Sequence, residues 1–419
     1  MEVLLPLPVL VVGGGMITEE VILPTLFQEQ KRGRCAACGR CGAPPAVGEV
    51  SVASRRAATI QRLHRAFPQA AHRPQAKFRG YPNPKKVGPE ESRPEAFRQA
   101  IADLPAPGIV IVATPDHLHT PVILAAVEAG HHCVVEKPLC LKVAEAHQIA
   151  AAAHERGAYV YTDYHKRHDR AIRAARYRFR RGELGQMLHG HAWIEERREM
   201  PLKWFARWCE QSSPFEYVGV HYADAYHFIT GLRPRRVAAW GQKKLLPSLG
   251  KDAFDAVQAV IEWEDGSVLW IQTAWVCPEH QSALTNQGLQ LLGTEGEYWA
   301  DHKNRNLVFV TQSGGFEHYN PNFYKTYNDW DNPDEPEYVG YGYDSIMQGV
   351  NDIRQIVTAT RDLPAEQALA KRREMIAALE PLRPLPGQAL IGTAINEAVR
   401  LSIANENRYV GFAEDYTCR

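Results

Sequence analysis

The first third of the chain alternates short apolar runs with segments of helical periodicity. Runs of about four to eight apolar residues between turn residues predict buried parallel strands, and an i, i+3, i+4 spacing of apolar positions predicts the helices between them. The predicted strands have the sequences PVLVV (8–12), EVSVAS (49–54), GIVIVATP (108–115), HCVVEKP (132–138) and AYVYTDY (158–164). Strands that alternate with helices in this way predict an α/β domain built on a parallel sheet.

The pattern changes after about Tyr164. A basic helical segment (168–184) is followed by longer segments in which apolar and polar residues alternate, and Asp265-Gly266 marks a hairpin turn within one of them. Such alternation predicts an antiparallel sheet with one covered face. We therefore predict an α/β domain over residues 1–163 and an α+β domain with a large, mainly antiparallel open sheet over residues 164–419. A final helix at about 385–405 is expected to pack back on the first domain.

Polar residues and glycines follow the predicted strands of the first domain. In an open parallel sheet, ligands bind outside the carboxyl ends of the strands, which meet at one edge. The residues at these ends carry glycine, charge or imidazole, and they lie at 13–15, 54–55, 114–117, 136–138 and 163–166. We expect them to form a binding edge.

Three glycines follow the first strand and precede a helical segment. Gly13 and Gly15 match the first two glycines of the pattern G-x-G-x-x-G, whereas Thr18 stands at the third. The first glycine permits a tight turn, and the second lets the backbone approach a pyrophosphate. The helix N-terminus behind them, with Met16 and Ile17, favours negative charge. The first domain is therefore predicted to be a Rossmann dinucleotide-binding domain.

The end of the second predicted strand bears on the choice between NAD and NADP. An NAD site favours an acidic residue there, because a carboxylate holds the ribose hydroxyls. The chain has Ser54 and Arg55 instead. A hydroxyl and a guanidinium suit a 2′-phosphate, so we expect NAD or NADP with a preference for NADP. The alternative is that the arginine belongs to a solvated helix start.

Composition narrows the functional classes. The 419 residues are 45% hydrophobic and 23% charged, with 48 basic and 48 acidic side chains. A net charge of zero argues against a general binder of nucleic acid or of anionic membranes. The apolar start carries Glu2 and lacks the Lys or Arg of a signal peptide, and no segment approaches the roughly 18 apolar residues of a spanning helix. A cytoplasmic location is expected.

Three cysteines are closely spaced. Cys35, Cys38 and Cys41 form the pattern C-x-x-C-x-x-C. A metal site of this type needs a fourth ligand, for which the candidates are Cys418 or a histidine brought in by folding. We favour free thiols in a surface loop, and no bound metal is predicted.

Motifs at the strand ends resemble those of one protein family. The sequences ATPDHLH (113–119), EKP (136–138) and TDYHKRHD (162–169), together with the strand-glycine-helix start, make the chain similar to the glucose-fructose oxidoreductase/inositol dehydrogenase/MocA (Gfo/Idh/MocA) family. The resemblance runs over nearly the whole chain. It implies a Rossmann domain that binds NAD or NADP, and it places the lysine of EKP, Lys137, at the nicotinamide and the substrate hydroxyl.

A second motif of that family matches YVGVHYADAYHFITG (217–231). His221, Asp224 and Gly231 are in register with it, whereas Tyr217 occupies the position of its first aspartate. In the family that carboxylate helps to bind the reacting hydroxyl pair. The departure therefore puts the usual polyol chemistry in question.

These residues define the predicted catalytic group. Oxidation of a secondary alcohol requires a base that is poised near neutral pH, and imidazole suits this role. We predict that His221 is the base and that Lys137 donates to the substrate oxygen and stabilises its alkoxide. Tyr217 is predicted to donate a hydrogen bond to His221 or to the substrate. The alternatives are a solvated Lys137 and a histidine at 221 that is satisfied by packing.

The other predicted site residues contact the cofactor or the substrate. The cofactor residues are Gly13, Gly15, Met16, Ile17, Ser54, Arg55, Thr114, Pro115, His117, His119, Glu136 and Lys137. The substrate residues are Lys166, Tyr164, Asp224 and Trp330. Trp330 lies in an aromatic-rich insertion (311–344), which predicts either a surface that stacks on a sugar ring or, as we favour, an arm that contacts a partner subunit.

Three functions are compatible with these features. We favour an NAD(P)-dependent oxidoreductase that transfers hydride at a secondary alcohol or ketone of a sugar, polyol or glycoside. The nearest alternative is an NAD-dependent glycoside hydrolase that uses transient oxidation, elimination, water addition and re-reduction. The third is a non-catalytic NADP-sensing or scaffold protein. The partners expected are a small-molecule substrate and a second copy of the chain, in a homodimer or homotetramer formed through the C-terminal sheet, with no nucleic acid and no membrane.

Overall fold

The computed structural model describes residues 4–31, 46–67, 77–281, 283–303, 307–311, 315–319, 323–327 and 337–419. The predicted cysteine cluster at 35–41 and Trp330 lie outside these residues. The chain divides into two compact units. The first comprises Met1–Leu139, Glu145–His165 and Tyr324–Gln388, and the second comprises Cys140–Ala144, Lys166–Phe323 and Ala389–Arg419.

A parallel sheet forms the centre of the first unit. Its strands are β1 (Leu7–Val12), β2 (Val47–Ala53), β3 (Phe78–Tyr81), β4 (Ile109–Val112), β5 (His132–Glu136) and β6 (Val160–Asp163). They lie in the order β3-β2-β1-β4-β5-β6, and each neighbouring pair is parallel. The chain reverses its direction of travel across the sheet between β1 and β4, which is the switch point at which Rossmann folds bind ligands. The predicted α/β fold is confirmed.

The hydrophobic pattern does not predict β3. This strand has the sequence FRGY, and of its four residues only Phe78 and Tyr81 are buried. The residues of β4, in contrast, are all buried. A short edge strand with two apolar residues lacks the continuous apolar run by which a central parallel strand is recognised.

A mixed, mostly antiparallel sheet forms the centre of the second unit. Its strands are β7 (Met187–Arg197), β8 (Pro234–Gln242), β9 (Ala256–Trp263), β10 (Val268–Cys277), β11 (Thr285–Gly293) and β12 (Glu297–Asp301), joined by the short C-terminal strand Val410–Gly411. The pair β7 and β10 is parallel, and the other pairs are antiparallel. Buried and partly exposed residues alternate along β9, so one face is covered, as predicted. Two further two-stranded sheets join Leu307–Thr311 to Gly315–Tyr319 and Lys325–Tyr327 to Glu337–Val339.

Helices connect and cover both sheets. In chain order they are α1 (Leu23–Lys31), α2 (Ala57–Ala66), α3 (Ala96–Ala102), α4 (His119–Glu128), α5 (Val143–Arg156), α6 (Arg170–Arg180), α7 (Val220–Thr230), α8 (Leu245–Ser248), α9 (Tyr341–Thr360), α10 (Ala365–Leu379) and α11 (Pro386–Ala404). Five-residue π-helical segments, Thr18–Ile22 and Phe215–Gly219, precede α1 and α7. In the described ranges, no helix combines the length and the apolar character needed to cross a bilayer.

Helix α9 returns to the first unit, whereas the predicted boundary assigns everything after residue 163 to the second domain. It packs against β5 and β6. The approach is closest at Gly349, where an added Cβ would lie 2.9 Å from Val134 and 3.0 Å from Tyr161. A boundary inferred from a change of pattern along the chain does not detect a later segment that covers an earlier sheet.

The final helix contributes to the core of the second unit. Ile391, Ile395 and Val399 of α11 belong to the same buried cluster as Trp263 of β9 and Tyr226 of α7, and each of these side chains is at most 4% exposed. The apolar positions of α11 recur at i, i+4 and i+8, so they form one stripe on the helix. This stripe is what anchors the C-terminal segment.

Described aromatic residues of the insertion pack within the first unit. The Tyr324 hydroxyl donates to the Val21 carbonyl at 3.1 Å, and the Tyr343 hydroxyl donates to the Glu29 carboxylate. Tyr343 is buried at the start of α9. These two tyrosines connect the insertion and the start of α9 to α1 and its preceding turn within the first unit. The predicted sugar-stacking surface and intersubunit arm stay predictions.

Candidate active site

The glycine turn after β1 has the geometry of a dinucleotide cradle. Gly13 has φ +119°, and a Cβ added there would lie 2.0 Å from the Ala113 carbonyl oxygen, so only glycine fits. Gly15 is exposed, and no described atom lies within 4 Å of its added Cβ. Thr18, at the third glycine position, is buried and donates to the Gly13 carbonyl at 3.1 Å. The turn is therefore closed at Gly13 and open at Gly15, which fits a bound pyrophosphate.

Met16 and Ile17 follow as the first helical residues after this turn, and both are partly buried. Their position at a helix N-terminus is where backbone N–H groups favour an anion. The structure thus places the predicted phosphate-binding residues, from Gly13 to Ile17, in one continuous turn and helix start.

The end of β2 adjoins the same glycine turn. The Ser54 hydroxyl oxygen is 3.7 Å from the position that a Cβ on Gly14 would occupy. Arg55 is exposed, and its Nε donates to the Ser92 hydroxyl at 2.8 Å. Arg62 of α2 donates to the Gly14 carbonyl at 2.5 Å. Ser54 and Arg55 thus stand where an NAD site favours a carboxylate. Arg62, which sequence reasoning missed, lies at the glycine turn and also pairs with Glu19.

The loop after β4 is held by a histidine. His119 is fully buried, with Nδ1 2.8 Å from the Pro138 carbonyl oxygen and Nε2 2.9 Å from the Thr114 carbonyl oxygen. It therefore ties the loop after β4 to the loop after β5. Its predicted role in shaping the pocket agrees with this position, and direct contact with the cofactor is not supported by its burial.

Other residues of this loop are more accessible. Pro115 is partly buried and His117 is exposed. Although the side chain is largely exposed, partial burial of its ring lowers the pKa of His117, and the Asp116 charge acts in the opposite direction. The Thr114 hydroxyl is buried and has no hydrogen-bond partner within the ranges that the structure describes. Such an atom calls for a polar group supplied by a ligand or by water, and a bound dinucleotide would provide one.

Lys137 lies among carboxyl groups at the end of β5. It is 7% exposed, and Asp116 and Asp163 are 7% and 3% exposed. Burial raises the pKa of Asp163 to about 6, while the Ser345 hydrogen bond and the charge on Lys137 act in the opposite direction. Burial also raises the pKa of Asp116. The lysine thus sits in a group of carboxyls whose charge is costly, and its ammonium offsets part of that cost.

Glu136 is the immediate neighbour of this lysine. Burial, with the nearby Asp163 charge as the next cause, raises the pKa of Glu136 well above its usual range. Glu136 and Asp163 are direct partners in the parallel register of β5 and β6, so their side chains leave the same face of the sheet. Sequence reasoning placed Asp116 and Asp163 at the binding edge but gave a cofactor role to Glu136 alone. The signal available was the pairing of two acidic strand ends.

The second unit contains His221 and Tyr217. His221 lies in the first turn of α7 and is 3% exposed. Tyr217 lies in the π-helical segment before α7, with its ring centroid 4.5 Å from that of Phe205 and 5.5 Å from that of Trp208. Tyr217 is thus part of an aromatic cluster. A carboxylate at this position would sit among aromatic rings.

Asp224 serves a structural ion pair. Its two carboxylate oxygens accept from Arg167 Nε at 2.9 Å and Nη2 at 2.6 Å, and both side chains are 3% exposed. The predicted substrate contact of Asp224 is therefore not supported. Gly231, the last residue of the motif, ends α7 with φ +78°, the left-handed conformation that favours glycine.

Two further predicted substrate residues are buried, and one of them is hydrogen-bonded to another side chain. Lys166 is 2% exposed, donates to Gln287 Oε1 at 2.5 Å and lies 4.8 Å from the Tyr222 ring centroid. Tyr164, in the first unit, is fully buried. Both side chains are therefore buried within their own units. Among the described residues, no group of three or more His, Cys, Asp or Glu side chains is placed to hold a metal ion.

The structure brings together one half of the predicted site. Residues at the carboxyl ends of β1, β2, β4, β5 and β6, all in the first unit, share the predicted binding edge. Lys166 and Asp224 belong to the second unit, and so do the predicted catalytic residues His221 and Tyr217. Their joint action with Lys137 stays a prediction.

Family models match both parts of the chain. Residues 7–164 match the model described as "Oxidoreductase family, NAD-binding Rossmann fold". Residues 172–299 match the "GFO/IDH/MocA C-terminal domain". Together these ranges cover most of the sequence.

Curated relatives are distant and match over part of their length. The chain is 26% identical over 200 residues to 1,5-anhydro-D-fructose reductase of Ensifer adhaerens, which covers 45% of the chain and 55% of that protein. It is 25% identical over 169 residues to 2,7-anhydro-N-acetylneuraminate hydratase of Mediterraneibacter gnavus, which covers 37% of the chain and 44% of that protein. The chain thus spans about half the length of these relatives.

Solved structures share the fold over the whole chain. An inositol dehydrogenase homolog from Azotobacter vinelandii, complexed with NADH and myo-inositol, superposes with a TM-score of 0.66 at 20% identity, covering 97% of the chain and 98% of that structure. At this identity the likeness establishes the fold.

Proposed function

Because the chain belongs to the GFO/IDH/MocA oxidoreductase family, we propose that it is an NAD(P)-dependent enzyme that transfers hydride at a secondary alcohol or ketone of a sugar, polyol or glycoside. The observation that carries the proposal is the edge of the parallel sheet. An open glycine turn, a buried hydroxyl at Thr114 and a buried lysine at position 137 lie at the carboxyl ends of β1, β4 and β5. A dinucleotide bound there would accept the hydride.

The proposed chemistry assigns one task to each side chain. As the substrate C–H bond breaks and its electron pair leaves as hydride, the O–H electrons form the carbonyl and His221 accepts the hydroxyl proton. Lys137 donates a hydrogen bond to the same oxygen and stabilises its developing negative charge. Tyr217 orients His221 or the substrate. In the reverse direction the proton returns from His221 to the alkoxide.

Substitution of Lys137 is the most direct test of this function. Replacement by Ala or Gln removes the donor to the substrate oxygen and should lower kcat/KM on responsive substrates by about 10² to 10⁴-fold, with cofactor binding retained. Lys142, an exposed lysine five positions later, provides a matched control, and Lys142→Ala should behave as wild type. Quenching of protein fluorescence by NADH and NADPH measures cofactor binding independently. If neither NADH nor NADPH binds, the proposal is overturned.

Two observations concern cofactor choice. Ser54 adjoins the glycine turn, and the next residue, Arg55, is exposed. We propose that they favour NADP, because a hydroxyl and a guanidinium can both donate to a 2′-phosphate. The ratio of the dissociation constants for NADPH and NADH tests this preference directly.

Redox-assisted glycoside cleavage is the second candidate function. It is favoured by Tyr217, which lies in an aromatic cluster at the position where the family motif has a carboxylate for polyol binding. The adjacent carboxylate, Glu216, accepts a hydrogen bond from Arg400, so it does not take the place of the missing one. In this scheme hydride returns to the sugar after elimination and water addition. Incubation with aryl glycosides and catalytic NAD discriminates, since phenol release without net NADH occurs only in the cleavage scheme. The non-catalytic alternative predicts cofactor binding with no turnover that depends on Lys137.

The outer face of the second sheet favours self-association. Its exposed apolar residues span several strands, and they are Leu188, Trp240, Trp270, Leu292 and Trp299, each 36–68% exposed. An aromatic surface of this extent is typical of interfaces. We propose a homodimer or homotetramer formed through this face, and sedimentation of Trp270→Glu against wild type tests it.

A further inference from the structure

The ends of β5 and β6 bring two acidic side chains side by side. Glu136 and Asp163 are direct partners in the register of these parallel strands. Paired residues of adjacent strands lie about 5 Å apart at their backbones and project to the same face. Asp163 is 3% exposed. Glu136 is partly buried. Two carboxylates at paired positions, one of them away from water, cannot both carry a charge without a large electrostatic cost.

A serine from α9 acts on one member of this pair. The Ser345 hydroxyl donates to Asp163 Oδ1, and the Tyr161 hydroxyl lies 2.9 Å from the Ser345 hydroxyl. Because the serine proton is directed at Asp163, the tyrosine must be the donor in the second bond. The resulting chain, from Tyr161 through Ser345 to Asp163, has one direction, and it stabilises a charged Asp163.

The surroundings of the pair are asymmetric in charge. The ionisable groups that act on it are Asp116 from the segment after β4 and Lys137 at the end of β5, and Tyr161 of β6 reaches it through Ser345. His117 and His119 act on Asp116. Lys137 is the cation that acts on both carboxyls. Among the described residues, Ser345 donates to Asp163, and no hydroxyl donates to Glu136. Charge should therefore settle on Asp163, and the proton on Glu136.

We propose that Glu136 and Asp163 share a single proton, and that the Ser345 hydroxyl keeps the resulting charge on Asp163, where it holds the neighbouring Lys137 as an ammonium ion. In this arrangement Ser345 and Asp163 are positioning residues that act through Lys137. The inference rests on the proposed function, since Lys137 is the group that contacts the substrate oxygen there.

The shared proton has a consequence for turnover. When Lys137 hydrogen-bonds a developing alkoxide, the ammonium must remain charged, and a nearby carboxylate favours that state. Were both carboxyls ionised, two negative charges would oppose the alkoxide. Were both neutral, the lysine would lose its counter-ion in a buried site. One proton in the pair is the state that suits the reaction.

Infrared spectroscopy tests the pair without any substrate. The full chain at pH 7 should show the carbonyl stretch of a protonated carboxylic acid, and Glu136→Gln should remove that band. Ser345→Ala deletes the donor to Asp163. The pH midpoint at which Asp163 takes up a proton should therefore rise by about one to two pH units, the equivalent of one hydrogen bond to a charged group. Ser345→Thr retains a hydroxyl and should restore the midpoint, which separates loss of the bond from disturbance of α9.

The pH dependence of activity provides the second arm. With any responsive substrate, the acid limb of kcat should move upward in Ser345→Ala by the same interval, return in Ser345→Thr, and leave NADH affinity unchanged. An unchanged carboxylic acid band in Glu136→Gln, or an unmoved midpoint in Ser345→Ala, would overturn the shared proton. If the bands behave as expected and no substrate or cofactor responds, the proposed function fails while the proton-sharing pair stands.

Discussion

The ion pair between Arg167 and Asp224 provides a direct test of how the second unit is stabilised. Both side chains are 3% exposed and are joined by two hydrogen bonds of 2.9 and 2.6 Å. Asp224→Asn leaves the guanidinium buried without its counter-charge. Removal of one partner from such a pair costs about 3–5 kcal/mol of unfolding free energy, which agrees with two charge-assisted bonds at about 1.5–3 kcal/mol each.

Urea denaturation followed by tryptophan fluorescence measures this cost. Trp263 and Trp275 are fully buried in the second unit, so their emission reports that unit. With a denaturant slope near 3 kcal/mol per M, Asp224→Asn should lower the unfolding midpoint by about 1 to 1.7 M. Asp252→Asn, which removes an exposed partner of Lys243 in the same unit, should produce little change.

A double variant separates the pair from its two members. Replacing Arg167 by Met and Asp224 by Leu removes both charges and fills their space, so much of the lost stability should return. The reasoning is refuted if Asp224→Asn moves the midpoint no more than the Asp252 control, or if the effects of the two substitutions add. Loss of activity in folded Asp224→Asn with unchanged stability would instead restore the predicted substrate contact.

Three other predictions concern the first unit. Gly13→Ala should lower both its melting temperature and its affinity for NADPH, because the new methyl meets the Ala113 carbonyl, whereas Gly15→Ala should lower affinity alone; differential scanning calorimetry and nucleotide titration distinguish the two. Arg55→Ala should weaken NADPH binding by about 10 to 100-fold relative to NADH, the contribution of one hydrogen bond to a phosphate, and equal losses for both nucleotides would exclude 2′-phosphate recognition. Burial lowers the pKa of His132 to about 3, from 6.5. As pH falls below 6.5, the unfolded chain therefore binds a proton at this histidine that the folded chain does not, and the contribution of His132 to stability falls by about 1.4 kcal/mol per pH unit. His132→Gln should remove this part of the pH dependence in calorimetry from pH 7 to 5.

Much of the first unit follows from its sequence. The continuous apolar runs of β1, β4 and β5 are strong signals, since a strand buried on both faces has no polar positions. The edge strand β3 gives no such signal, and neither does the return of α9 to the first sheet. That return depends on the fit between Gly349 and the sheet, which is a property of three-dimensional packing.

The candidate site shows the same limit. Lys137 and the glycine turn could be predicted because their chemistry follows directly from strand ends. The burial of Asp224, Lys166 and Tyr164 could not be predicted, nor could the pairing of the first two with Arg167 and Gln287, since neither is visible in the order of residues. Ser345 was not predicted as a site residue, because 182 positions separate it in sequence from Asp163, to which it donates.

The interleaving of the two units along the chain constrains how the protein can be cut and how it is made. A fragment ending at residue 165 would lack Tyr324–Gln388 and would expose Val134 and Tyr161, which α9 covers. Such a fragment should aggregate rather than bind nucleotide. During synthesis the nucleotide-binding unit cannot be completed until residue 388 has left the ribosome, so the second unit, apart from its last segment, is translated while the first still waits for its covering helix.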